Sequence, residues 1–147
     1  MAAGNLALIE DDKEVDNHVA LLSELTTVLI KERFTFPRRI RLLSSRDFKA
    51  VFRDNSNRLS DQNWTLLVRQ NTFSYARLGM AISKRVLSRA VDRNRIKRII
   101  RESFRHHQQG LRSLDIVVMC KSDVKQLAKM ELLESLNGLW TQVKNSA

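Results

Sequence analysis

Between Lys84 and Arg105 the chain carries nine cationic side chains (Lys84, Arg85, Arg89, Arg93, Arg95, Lys97, Arg98, Arg101 and Arg105) against two carboxylates, Asp92 and Glu102. Arg93, Lys97, Arg101 and Arg105 step by four, which on a helix of about 3.6 residues per turn gives a slowly drifting row of charge. Glu102 is in reach of Arg98 or Arg105, but most of the row has no acidic neighbour in sequence. Unpaired like charges at this density repel one another, and a phosphate backbone is the usual polyanion that relieves them. An ordinary solvated helix face mixes both signs, so the segment reads as a surface for nucleic acid.

A helix has to position this row. Ile96, Ile99, Ile100 and Phe104 recur at helical spacing within it, so one stripe faces a core and the cations crowd the remainder. The pattern predicts a helix from about Ser88 to Gln108, with Gly110 where a stop belongs. Upstream, Pro37 makes the Phe36–Leu42 segment an extended entry. Ser45 is a candidate N-cap for a short helix through Arg53, with Asp47 in its first turn and Phe48, Val51 and Phe52 on one face. Asp54 to Asn57 is a loop by composition. Trp64–Arg69 and Arg77–Ser83 read as strands joined by a turn at residues 71–75, which suggests an antiparallel hairpin. Leu114–Cys120 is the most strand-like run, rich in β-branched residues. Gln126–Val143 reads as a closing helix, with Leu127, Met130, Leu133, Leu136 and Trp140 on its buried stripe. The order α-β-β-α-β-α is that of an α+β protein, helices packed on a small sheet.

Composition narrows the function. The 147 residues fit one domain, and 43% apolar content supports a modest core. The net charge of +10 is uneven. Residues 1–32 hold two lysines against seven carboxylates, a net −5, leaving 24 basic and nine acidic groups, a net +15, on residues 33–147. The first stretch reads as an acidic extension, disordered or loosely helical around Val19–Ile30. The remainder is the folded nucleic-acid-binding body. The single Cys120 excludes an internal disulfide and a thiol-rich metal site, and reads as a small buried hydrophobe. No run reaches the roughly 20 apolar residues of a membrane span, and the N-terminus lacks a basic signal region. A cytosolic protein follows.

No catalytic constellation appears. His106 and His107 are adjacent, so on a helix they point about 100° apart and cannot chelate one ion. There is no Gly-rich phosphate loop, and no nucleophile stands at a recognisable spacing from a base. The chain reads as a binder rather than a catalyst. Phe48 and Phe52 have the spacing of a core stripe. With Arg46, Lys49 and Arg53 beside them, they also suit a groove where unpaired bases pack on aromatic rings.

Gly79-Met-Ala-Ile-Ser-Lys-Arg85, followed by Ala90-Val-Asp-Arg-Asn-Arg-Ile-Lys-Arg-Ile-Ile-Arg-Glu-Ser-Phe-Arg105, resembles the bacterial ribonuclease P protein component. The Arg93-Asn94-Arg95 triplet inside a basic helix is that family's signature. Phe36–Leu43, Asp47–Phe52 and Asp115–Met119 add support, and the likeness runs over about residues 33–145. The resemblance implies a sheet with a left-handed βαβ crossover through the basic helix. It also implies a non-catalytic subunit of an endoribonuclease whose RNA subunit removes the 5′ leader of precursor tRNA and leaves a 5′-phosphate. The partners would be ribonuclease P RNA and precursor tRNA, with no membrane and no small-molecule substrate. No cofactor would be bound by the protein itself, magnesium ions residing on the RNA. By this likeness Lys84, Arg85, Arg89, Arg93, Asn94, Arg95, Lys97, Arg98, Arg101 and Arg105 bind RNA, and Phe48, Phe52, Ser83 and Lys84 form the leader cleft. Residues 1–32 have no counterpart in the typical member.

Charge alone would equally allow a ribosomal or other structural RNA-binding protein. A helix-based DNA-binding domain fits less well, because a strand follows the basic helix directly. A protein-only nuclease lacks the acid cluster that metals need.

Overall fold

The computed structural model describes residues 36–146. The reading of residues 1–32 as a disordered or loosely helical extension lies outside them. Four strands, β1 (Asn57–Ser60), β2 (Trp64–Gln70), β3 (Arg77–Met80) and β4 (Leu114–Cys120), form one sheet in the order β1-β2-β4-β3. Among the described residues three α-helices accompany it: α1 (Ser45–Arg53), α2 (Ala90–His107) and α3 (Lys129–Ser146). The expected α+β architecture is present, with one strand more than the sequence suggested.

Strand pairing is where the sequence reading needs correction. β2 and β3 do not form a hairpin. β2 pairs antiparallel with β1 and β4, and β3 pairs parallel with β4, Leu78 opposite Ile116. The hairpin partner is β1, which takes Asn57, a loop residue by composition, into the sheet opposite Val68. Its turn is made by Asp61, whose Oδ1 accepts the backbone N–H groups of Asn63 and Trp64 at 2.8 Å each. β4 enters between β2 and β3 because α2 carries the chain back along the sheet, as a parallel connection requires. The βαβ crossover through the basic helix is thus observed. The apolar run Ile116–Cys120 of β4 is the mark of a central strand, covered on both faces.

Alternation along β2 and β4 sorts their side chains into two cores. Trp64, Leu66, Val68, Ile116 and Val118 join Ile96, Ile99, Ile100 and Phe104 of α2 and Leu132, Leu136, Leu139, Trp140 and Val143 of α3. Leu67 and Val117 point the other way and meet Leu42 and Val51, with Phe48, Ala81 and Met119 at the margin. The α2 stripe is as expected, and so is Cys120, 8% exposed, whose thiol burial pushes up to about 11. On α3 the stripe is shifted: Met130 is 66% exposed, and Leu132, Leu139 and Val143 set the phase. α1 is capped by Ser44 rather than Ser45, the Ser44 hydroxyl accepting from the Asp47 N–H at 3.1 Å. α2 does not stop at Gly110. It tightens into a 3-10 turn, Gln108–Leu111, and the positive φ falls on Ser113 at 63°.

Candidate nucleic-acid interface

Burial of Ile96, Ile99, Ile100 and Phe104, none more than 3% exposed, fixes which face of α2 meets the core and turns the cations outward. The two carboxylates do not neutralise them. Asp92 lies 4.0 Å from Lys125, and Glu102 lies 3.0 Å from Lys129, rather than against Arg98 or Arg105. Among the described residues no carboxylate forms an ion pair with Lys84, Arg85, Arg89, Lys97, Arg98, Arg101 or Arg105.

The row is not uniform. Arg93 donates through Nη1 to the carbonyls of Leu87 and Ser88, both at 2.9 Å, and so fastens the turn that enters the helix. Arg95 donates through Nη2 to the Leu127 carbonyl at 2.9 Å and ties α2 to the segment before α3. Lys84, Arg85, Arg89, Asn94 and Arg98 are exposed, whereas Lys97, Arg101 and Arg105 are half-buried. Burial first, then the like charges of Arg41, Arg98 and Arg105, hold the Arg101 guanidinium below its usual pKa.

Arg41 is a member of this surface that sequence spacing missed. It donates to the Phe36 carbonyl through Nε at 3.1 Å and Nη2 at 2.7 Å, and its guanidinium stands 4.9 Å from the Phe36 ring centroid. The Phe36 ring in turn meets Phe104 edge-on at 5.9 Å. The only hint in sequence was the cationic run Arg38-Arg39-Ile40-Arg41.

At its far end α2 is joined to α3 by a polar chain. Trp140 Nε1 donates to Ser103 Oγ at 2.8 Å, and Ser103 Oγ donates to Asn137 Oδ1 at 2.9 Å. His107 Nε2 reaches the same Asn137 oxygen at 3.1 Å, and its Nδ1 faces Lys144 Nζ at 2.9 Å. Beside an ammonium, Nδ1 serves as the acceptor of a neutral ring. Burial, followed by the Lys144 charge, pushes the His107 pKa below its usual 6.5, with the Asn137 bond opposing. The unfolded chain therefore takes up the proton first. We expect stability to be full above pH 6.5 and to fall as pH drops below it, levelling off beneath the folded pKa. Chemical denaturation across pH 5–7.5 should show this dependence weakened in His107→Gln; an identical pH dependence in the variant refutes the assignment.

On the other side of the sheet α1 and the strands flank the second, smaller core. The Phe48 ring lies against Gly79, where an added Cβ would come within 2.8 Å of ring atoms and 3.1 Å of Leu42 Cβ. Gly79 is therefore the residue that lets α1 approach β3. Gly79→Ala should displace the Phe48 ring and cost about 1–3 kcal/mol, the usual penalty for overpacking; equal thermal stability would contradict this. Phe52 is 44% exposed beside it. Ser83 and Lys84 are exposed, Ser83 Oγ accepting from the Val86 N–H at 3.2 Å. Ala81, two residues before Ser83, packs against the same small core as Phe48. Thus Phe48 and Ala81 share the small core, and Phe48 is partly spent on packing.

An uncompensated cationic helix on a βαβ crossover, with aromatic rings on the opposite sheet face, defines an RNA-binding α+β protein. The Ribonuclease P family model matches residues 36–144. The ribonuclease P protein component of Thioalkalivibrio sulfidiphilus is 47% identical over 108 residues, 74% of this chain and 89% of that protein. The Marinomonas component is 40% identical over 114 residues, 78% and 86% of the two chains. Among solved structures, the RNase P protein of Staphylococcus aureus matches with a TM-score of 0.66 at 26% identity, covering 71% of this chain and 95% of that one. The Thermotoga maritima protein matches at 0.63 and 28% identity, covering 69% and 96%. The chain belongs to the bacterial ribonuclease P protein family. It is the non-catalytic protein subunit of that holoenzyme, its partner the ribonuclease P RNA. A ribosomal or other structural RNA-binding protein is not favoured.

Proposed function

We propose that the protein's two sheet faces divide the work of removing the 5′ leader from precursor tRNA. The α2 surface (Lys84, Arg85, Arg89, Lys97, Arg98, Arg101 and Arg105, with Arg93, Asn94 and Arg95) grips the catalytic RNA. The face bearing Phe48, Phe52, Ser83 and Lys84 takes the leader. The observation that carries this is the removal of Asp92 and Glu102 to Lys125 and Lys129, which leaves the outer row without a counter-charge among the described residues. Phosphate contacts position RNA without reading its sequence, and aromatic faces accept any base, which suits leaders of varied sequence. Magnesium ions held by the RNA subunit would supply the hydrolytic chemistry, and the cytoplasm would be the compartment. The test is reconstitution with a bacterial ribonuclease P RNA and a precursor tRNA at low magnesium. Cleavage should depend on the protein, and Phe52→Ala should weaken binding of precursor more than of mature tRNA. Equal losses for both would remove the leader from this face.

A further inference from the structure

Helix α1 lies on the smaller of the two cores, and little packing decides how it sits. Val51 is its buried residue. The core beneath it has Leu42, Val51, Leu67 and Val117 as its buried members. The contact of Phe48 with Gly79 limits how closely the helix approaches β3, but it acts at the middle of α1 and does not fix the ends.

Each end carries a carboxylate that meets an arginine from the sheet. Beyond the last turn, Asp54 Oδ2 stands 3.7 Å from Arg69 Nε of β2, but the Asp54 side chain is 80% exposed, and pairs so open to water hold little. In the first turn, Asp47 Oδ2 stands 3.9 Å from Arg77 Nη1 of β3, with the two side chains only 34% and 16% exposed. Arg77 is a fixed point. Its Nε and Nη2 donate to the two oxygens of buried Asp115 at 2.8 and 2.6 Å, and its guanidinium lies 4.7 Å from the Phe73 ring centroid. Nη1 is the prong left over, and it faces α1.

Charge gives the pairing a purpose. Arg46, Lys49 and Arg53 are the exposed cations of α1, and none has an ion pair among the described residues. A carboxylate standing free among them would repel a phosphate backbone. Any first-turn acid serves the helix dipole. The partner in β3 is what ties this one to the sheet.

We infer that the Asp47–Arg77 pair is a positioning device for the precursor's leader: it holds the first turn of α1 against β3 and so sets where Phe52 and the three cations stand. The inference rests on the reading of this face as the leader's. Loosening α1 lowers the fraction of protein in the competent arrangement, and apparent affinity falls by that fraction. In holoenzyme reconstituted with ribonuclease P RNA, Asp47→Asn should raise KM for precursor tRNA about two- to fivefold, the scale of one partly exposed ion pair. The cleavage rate at saturating precursor should not change, nor should affinity for mature tRNA. Asp47→Glu keeps the charge and the reach, and should return KM to that of the unchanged protein. The sign is diagnostic, because charge counting alone predicts tighter binding when a carboxylate leaves a cationic face. Where the Asn variant loses its fold, Asp47→Ser takes its place with the same reading. A KM at or below that of the unchanged protein overturns the inference. So does an equal loss for mature tRNA, a slower saturating rate with KM unchanged, or a loss that Asp47→Glu does not restore. Phe52→Ala is measured in parallel. If it leaves the preference for precursor intact, the leader reading of this face fails. If it lowers that preference while Asp47→Asn does not, the positioning inference fails alone.

Discussion

Replacing Lys97, Arg98 and Arg101 together with Ala should cost about a hundredfold in affinity for ribonuclease P RNA near 0.15 M salt, and the loss should shrink as salt rises. Each phosphate contact adds about 0.7–0.9 to the slope of log affinity against log salt. Three lost contacts therefore flatten the slope by about 2–3 units, and extrapolation from the 1 M reference to 0.15 M gives the loss in affinity. These three are chosen because no described residue holds them by an ion pair, whereas Arg93 and Arg95 are fastened to the carbonyls of Leu87, Ser88 and Leu127. Arg93→Ala should accordingly destabilise the turn before α2 as well as weaken binding, and the two effects are separable by a thermal melt. The triple variant should keep its fold, since Arg98 is exposed and the stripe of Ile96, Ile99, Ile100 and Phe104 is untouched. Relief of repulsion among Arg41, Arg98, Arg101 and Arg105 should leave it at least as stable as the parent. A triple variant with the parent's salt slope would show that these side chains do not meet phosphate.

The row on α2 was legible in sequence because period alone decides it: apolar residues at 96, 99, 100 and 104 leave the cations no place but outside. The departure of Glu102 and Asp92 was not, because their partners Lys129 and Lys125 arrive from a different element. The same limit governs strand pairing. Local turn signals suggested that β2 and β3 were neighbours, but the insertion of β4 between them is a non-local event set by the path of α2. The Ile116–Cys120 run, apolar throughout, did carry the needed hint, since a strand covered on both faces must lie inside a sheet. Arg41 escaped for a further reason. Its position beside Arg101 follows from the packing of Phe36 on Phe104, residues 68 apart in the chain, which no spacing rule reaches.

The buried pair of Arg77 and Asp115 underlies much of this arrangement, and removing one member should be the costliest single change in the folded body. Asp115 is 1% exposed in a strand that is otherwise apolar. Arg77 meets it with a two-pronged bond, Nε to Oδ1 at 2.8 Å and Nη2 to Oδ2 at 2.6 Å, and Asn71 adds a third donor at 2.8 Å. The bond to Asp115, outweighing burial, holds the guanidinium pKa above its usual value. The pair spans the β3–β4 register at Arg77 opposite Asp115, and so fastens the parallel junction that α2 must return to. Arg77→Ala leaves a carboxylate stranded under the sheet face, with an expected loss of about 3–5 kcal/mol. The double variant Arg77→Met with Asp115→Leu removes both charges and should recover most of that loss, because an apolar pair of similar volume is often as stable as a buried ion pair. Urea denaturation of the three proteins measures both effects. If the double variant is as unstable as the single one, the loss lies in packing around Phe73 and Phe48 rather than in a stranded charge.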